Sequence, residues 1–144
     1  MWKQLVEQYS SSAAWRAPVS ESQLELAEAE LSVRFPEELR SCLLESDGIE
    51  AEYGLQLVWP LARIVDDNKQ FRNNSEFKEL YMPFDCLLFF GDAGNGDQFA
   101  FLVLSGQVRK RDVFVWNHED DSRSWVAPSL ARFLEWWLSG ELKI

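Results

Sequence analysis

Residues 87–104 have the sequence LLFFGDAGNGDQFAFLVL, which predicts a β-hairpin at the centre of the fold. The apolar run 87–90 is typical of a strand buried on both faces, and residues 98–104 predict its partner. Three glycines lie in the intervening turn 91–97, where glycine permits the positive φ angles of a tight turn. We therefore expect two antiparallel strands joined by this turn.

The sequence after the hairpin predicts one more strand and a last helix. Residues 113–116 (VFVW) form an apolar run typical of a strand, and the polar segment 117–124 predicts a loop. Ser129, just after Pro128, precedes an apolar helical pattern that Gly140 ends. The C-terminal half is thus expected to be a strand meander closed by a helix.

The N-terminal half has mainly helical patterns. A short helix is predicted around residues 2–9, and residues 20–48 predict two helices packed along one edge. Ser20 and Gln23 have the spacing of a capping box, and Pro36 suits the first turn of the second of these helices.

The middle of the chain alternates between strand and helix signals. Residues 54–59 predict a strand and residues 61–71 a helix, followed by a loop at 73–75. Four apolar side chains are expected to connect the next segment to the core: Phe77, Leu80, Tyr81 and Phe84. The order of the elements predicts an α+β fold, in which one domain over residues 1–144 has an antiparallel β-sheet meander flanked by N-terminal helices and a C-terminal helix.

The charge of the chain excludes some classes of partner. The net charge is -10 and the sequence pI is about 4.5, which disfavours nucleic-acid binding and anionic lipid surfaces, since both require basic patches. No signal-peptide pattern or membrane-spanning apolar run is present, so a cytoplasmic protein is expected. Cys42 and Cys86 have apolar neighbours, and we expect two buried free thiols.

Most of the negative charge falls in one stretch. Residues 21–52 contain ten acids against Arg34 and Arg40, a net charge of -8. Such a stretch is often only a solvated helix face, but a surface of one sign also attracts a basic partner and raises its association rate. Both interpretations stay open from the sequence alone.

The polar motifs do not match any common cofactor or metal site. The glycine turn lacks the spacing of a phosphate loop, and glycines occupy two ligand positions of a calcium loop that would begin at Asp92. His118 is the only histidine, so no zinc motif can form around it, and we expect neither a cofactor nor a metal. Catalysis is not expected, although Asp92, Asp97 and His118 could in principle perform acid–base chemistry.

Seven tryptophans could serve as core residues or as binding anchors. Trp59, Trp116 and Trp137 have positions that fit the core, and one of the adjacent Trp136 and Trp137 should point away from it. A partly exposed tryptophan near acids would be a suitable anchor for a partner.

Several segments, taken in order, resemble the SMI1/KNR4 (SUKH) superfamily. The stretches 27–48, with the run FPEELR, and 89–101, with the glycine turn, are similar to its helical opening and its central hairpin. Residues 115–120 (VWNHED) resemble its aromatic-Asp-His-Glu stretch, with Asn117 where Asp is commoner, and 127–134 resemble its closing helix. The resemblance covers about residues 20–138.

The resemblance implies a non-catalytic binding module, and in bacteria such domains often act as immunity proteins that neutralise a toxin. A basic toxin suits the acidic stretch. The alternatives are a scaffold or regulatory adaptor that binds a host protein, or an enzyme. The residues expected to contact the partner are Glu37, Glu38, Glu45, Asp47, Glu50, Glu52, Asp92, Asn95, Asp97, Trp116, His118, Glu119 and Asp120.

Overall fold

A computed structural model describes residues 1–108 and 110–144, which form six helices and six short strands. The helices are α1 (Trp2–Glu7), α2 (Glu21–Leu31), α3 (Glu37–Glu45), α4 (Leu61–Asn73), α5 (Ser75–Leu80) and α6 (Leu130–Ser139). The strands are β1 (Ile49–Glu50), β2 (Gln56–Val58), β3 (Leu87–Asp92), β4 (Gln98–Leu102), β5 (Val113–Trp116) and β6 (Arg123–Ala127). The α+β class with an antiparallel meander is confirmed.

The main sheet has the strand order β3-β4-β5-β6 with every pair antiparallel. The predicted hairpin is confirmed, since Leu88 pairs with Phe101 and Asp92 with Gln98. β6 was not expected, because it begins within residues 117–124, whose polar composition predicted a loop. Ser124 and Trp125 are both exposed, so this strand lacks the apolar alternation that would reveal it.

A second, two-stranded sheet joins β1 to β2 beside the main sheet. The predicted strand 54–59 is shorter than expected, because a 3₁₀ turn occupies Glu52–Gly54. The backbone N–H of Trp59 donates to the carbonyl of Phe90 at 2.7 Å, which attaches β2 to the outer edge of β3. This approach requires Gly91, where a Cβ atom would lie 2.2 Å from the carbonyl oxygen of Leu57.

Local capping signals determine the helix ends. Ser20 and Gln23 form the predicted capping box at the start of α2. Ser129 accepts a hydrogen bond from the N–H of Arg132 at the start of α6, and Gly140 ends that helix with φ of 84°. The expected loop at 73–75 is only the junction between α4 and α5, where Asn74 accepts hydrogen bonds from two backbone N–H groups of α5.

The core is rich in aromatic side chains packed between the helices and the main sheet. Trp59 and Trp116 are buried as predicted, whereas Trp136 and Trp137 are both half-buried. Leu80 does not reach the core, since 71% of it is exposed. It lies at the end of the short helix α5, which has no buried residue.

The two cysteines are free, but their environments differ. Cys42 is buried, whereas Cys86 is only half-buried at the start of the main sheet, so the expectation of two buried thiols is wrong for the second. No helix in the described ranges is long and apolar enough to cross a membrane.

One buried polar side chain fastens α4 to the sheet. Asn68 is 1% exposed, and its amide nitrogen donates to the carbonyls of Ile64 at 2.7 Å and Phe89 at 2.9 Å. Its amide oxygen accepts the N–H of Phe89 at 2.9 Å. Asn68 therefore occupies, for one residue of β3, the place that a neighbouring strand would otherwise take.

Candidate functional site

The hairpin turn between β3 and β4 is the centre of the candidate site. Ala93 donates its N–H to the carbonyl of Asp97 at 3.0 Å, and the side chain of Asn95 accepts the N–H of Asp97 at the same distance. Gly94 and Gly96 have φ angles of 95° and 98°, which only glycine adopts readily. These bonds hold the turn in one defined shape.

His118 packs against this turn and pairs with its last residue. One carboxylate oxygen of Asp97 accepts the backbone N–H of His118 at 3.2 Å and lies 2.7 Å from its ring Nδ1. Asp97 is buried, whereas 40% of the His118 side chain is exposed. A Cβ atom at Gly96 would lie 2.8 Å from the imidazole, so only glycine leaves room for the ring.

Arg63, which the sequence analysis did not single out, holds the other predicted carboxylate of the turn. Its guanidinium donates to both oxygens of Asp92, at 2.7 and 2.9 Å, and to Asp67 at 3.0 Å. It also lies 4.1 Å from the ring centre of Trp59. Burial opposes ionisation of Arg63, but the bonds to Asp92 and Asp67 outweigh it and raise its pKa. Asp92 is therefore held in a neutralised pair.

The 3₁₀ turn at Glu52–Gly54 lies beside the hairpin turn, and the two enclose a shallow cleft of about 530 Å³. We call it the acidic cleft. Its lining residues are Glu52, Tyr53, Gly54, Leu55, Asp92, Gly94, Gly96 and Asp97. Three predicted site residues, Glu52, Asp92 and Asp97, thus meet although 40 positions separate the first two in the chain.

The loop after β5 supports the site from behind. The indole N–H of Trp116 donates to Asp121 at 2.8 Å, and the other carboxylate oxygen of Asp121 accepts the N–H of Met82 at 2.9 Å. Trp116 is 4% exposed and offers little surface to a partner. Glu119 and Asp120 are exposed on the outside of this loop.

Asp121 is a structural acid that sequence reasoning missed. Burial opposes its ionisation, but hydrogen bonds from Met82 and Trp116 and the nearby Arg123 guanidinium prevail and lower its pKa. The Arg123 Nη2 lies 3.1 Å from the carboxylate, and only 14% of each side chain is exposed. Asp121 therefore fixes the loop that carries His118.

Replacing Asp121 with Asn should lower the free energy of unfolding by about 1–3 kcal/mol at about pH 7, because Asn loses the charge-assisted bonds. The wild-type carboxylate stabilises the fold above its unfolded pKa of about 3.9, and this stabilisation is lost as pH falls through the lowered folded pKa. Urea denaturation at neutral and strongly acidic pH measures the difference. An equal difference at both pH values would contradict this role, and Glu119→Gln, at an exposed position, serves as the control.

Three of the predicted acids bind backbone groups at helix starts. Glu38 accepts the N–H groups of Leu130 and Ala131 at the start of α6, at 3.2 and 3.4 Å. Asp47 accepts the N–H of Leu61 at the start of α4, at 2.7 Å. Negative charge at these positions stabilises the helix dipole.

Glu45 has the same role for α1. It accepts the N–H groups of Trp2 and Lys3, at 2.9 and 3.1 Å, and contacts the amino group of Met1. Burial acts to raise the pKa of Glu45, but these contacts together lower it. Its carboxylate, like those of Glu38 and Asp47, is thus already bound within the molecule.

The three remaining acids of the stretch that were predicted to contact a partner lie in two separate places. Glu37 lines a groove to which Arg34, Lys110 and Arg111 also contribute. Glu50 and Glu52 flank the turn of the acidic cleft, and no base in the described part of the chain lies within ion-pair distance of either carboxylate. The stretch therefore does not form one continuous patch.

The described residues offer no cluster of metal ligands, but they do form a larger cavity elsewhere in the fold. Within residues 1–108 and 110–144, no group of three or more His, Cys, Asp and Glu side chains could hold a metal ion. A larger cavity of about 740 Å³ lies between α2, α4 and the segment 81–85, and none of the predicted site residues lines it. Glu52, Asp92 and Asp97 thus meet at the acidic cleft and not at this larger cavity.

A four-stranded meander with flanking helices defines an α+β domain, and two of its turns form the acidic cleft. The chain belongs to the SMI1-KNR4 cell-wall family of the SUKH superfamily, whose pattern matches residues 21–134. Domains of this kind generally bind partner proteins. A comparison with curated proteins finds no match.

Proposed function

We propose that this protein is a bacterial immunity protein that neutralises a cognate toxin by binding it, without catalysis, through the acidic cleft. The observation that carries the proposal is the convergence of Glu52 and the hairpin turn on the acidic cleft, with the carboxylate of Glu50 close to the same 3₁₀ turn. A rigid site loses little conformational entropy when a partner binds. The proposal places the protein in the bacterial cytoplasm, where the toxin would act.

The expected partner is basic. A toxin that acts on nucleic acid needs cationic residues to contact phosphates, and these same residues would be attracted to the acidic cleft. Binding there would cover the substrate surface of the toxin. The net charge of -10 would also speed the association with such a partner.

Two alternatives use the same residues. A scaffold or adaptor would bind a host protein through the acidic cleft, and an enzyme would use Asp92, Asp97 or His118. The contact with Arg63 disfavours the enzyme alternative, because it holds Asp92 in an ion pair rather than as a free base. Asp97 also accepts the backbone N–H of His118 and so joins the hairpin turn to the loop after β5.

Co-expression with the product of the adjacent gene tests the proposal. We expect growth of cells expressing that product to be rescued, and its activity in vitro to fall linearly until the two proteins are equimolar. Loss of toxin activity at far lower ratios would support the enzyme alternative. Absence of both rescue and complex formation would contradict the immunity role and favour the adaptor.

A further inference from the structure

Tyr53 is the most exposed large hydrophobic side chain among the residues that the structure describes. Its relative exposure is 102%, and it lies at the tip of the turn between β1 and β2. The N–H of Ala51 donates to the carbonyl of Leu55 at 2.7 Å and closes this turn. The fold therefore presents an aromatic ring directly beside the acidic cleft.

The backbone of Tyr53 adopts an unfavourable conformation. Its φ and ψ angles are 61° and 25°, in the left-handed region that Gly or Asn adopts more easily than a bulky residue. No hydrogen bond of its hydroxyl to any of the described residues compensates for this strain. Strain without an internal contact in return is typical of residues that serve a function.

The surroundings of Tyr53 indicate the chemistry of what it contacts. Glu52 is its neighbour in the chain, and Glu50 lies on the same turn, 3.9 Å from where a Cβ atom of Gly54 would be. Leu55, which is half-buried, lines the same cleft. An aromatic face beside two carboxylates suits an arginine, whose guanidinium can stack on the ring and pair with a carboxylate.

We propose that Tyr53 is the anchor of the interface and inserts into an arginine-bearing surface of the partner protein, with Glu50 and Glu52 binding the guanidinium groups. The inference rests on the proposed function only in taking that partner to be the toxin. Tyrosine suits this role because it provides a large contact area with few rotatable bonds. Anchors of this kind carry much of the binding energy of an interface.

Replacing Tyr53 with Asn separates the effect of the backbone strain on stability from the effect of the aromatic ring on affinity. The folding equilibrium constant should rise about fivefold, because Asn adopts the left-handed conformation with less strain. Affinity for the toxin should fall about thirtyfold, the usual loss for an anchor residue. Tyr9→Asn is the matched control, since Tyr9 is also exposed, at 40%, but lies in the segment that follows α1. It should leave affinity unchanged.

A capped tri-arginine peptide tests the same surface without the toxin. We expect it to shift the NMR amide signals of residues 52–55 and 92–97, and to bind several-fold more weakly to Tyr53→Asn than to wild type or to Tyr9→Asn. Shifts confined to other surfaces, or equal affinity for all three proteins, would overturn the inference.

The toxin and peptide measurements together distinguish a failure of the anchor from a failure of the immunity role. If the toxin binds wild type and Tyr53→Asn equally, the anchor is wrong while the immunity role stands. If the toxin does not bind but the peptide binds at Tyr53, the immunity role fails and the arginine-binding surface stands.

Discussion

Replacing Glu50 and Glu52 with Gln should slow association with the toxin about tenfold at low ionic strength and leave the free energy of unfolding nearly unchanged. Glu52 lines the acidic cleft and the Glu50 carboxylate lies close to the same turn, and no described base forms an ion pair with either. Their field therefore extends outward to a basic partner. Stopped-flow association at several salt concentrations measures the effect, which should shrink as salt screens the charges.

The double variant Glu38→Gln/Glu45→Gln is a matched control with the same change in net charge. These two carboxylates cap α6 and α1, so we expect a loss of about 1–2 kcal/mol in stability and little change in association rate. If both double variants slow association equally, the net charge rather than the acidic cleft attracts the partner.

Replacing Asn68 with Ala should lower the free energy of unfolding by about 2–4 kcal/mol. The substitution leaves both the N–H and the carbonyl of Phe89 without the partner that Asn68 provides, and it opens a void between α4 and β3. Urea denaturation measures this loss. The slope of the free energy of unfolding against urea concentration should be the same for both proteins.

Gln70→Ala provides the comparison for Asn68→Ala. Gln70 lies two positions along α4 but is exposed, so its replacement should change stability by less than about 0.5 kcal/mol. A loss at Asn68 no larger than the loss at Gln70 would show that this side chain does not fasten the helix to the sheet.

Several features that depend on local signals were predicted correctly from the sequence. The capping box at Ser20 and Gln23, the stop at Gly140 and the glycine-rich hairpin turn all depend on residues a few positions apart. Such patterns determine backbone conformation directly, because the interacting groups are neighbours in the chain. The α+β class followed from their order.

The features that sequence reasoning missed depend on distant residues. Glu38 caps a helix that begins 92 positions later, and Arg63 reaches Asp92 across 29 positions. Asp121 binds Met82, 39 positions earlier. Nothing in the local pattern of an acid distinguishes one that caps a helix from one that faces solvent, so the stretch 21–52 could not be divided from the sequence alone.

The candidate site shows the same limit. Composition located the negative charge, but only the pairing of β1 with β2 and the attachment of β2 to β3 bring Glu52 to the hairpin turn. Tyr53 was not singled out, because an isolated tyrosine in a sequence does not reveal a fully exposed ring with a positive φ angle. A Tyr-Gly pair between two short strand patterns is the signal that could have indicated it.

Hydrogen–deuterium exchange of the protein alone and with the toxin tests the central claim most directly. We expect binding to slow exchange of backbone amides in residues 52–55 and 93–97, which form the two sides of the acidic cleft. Backbone amides in the groove around Glu37 and in the cavity between α2 and α4 should exchange at the same rate with and without the toxin. Protection confined to either of those surfaces, with the acidic cleft unchanged, would contradict the account.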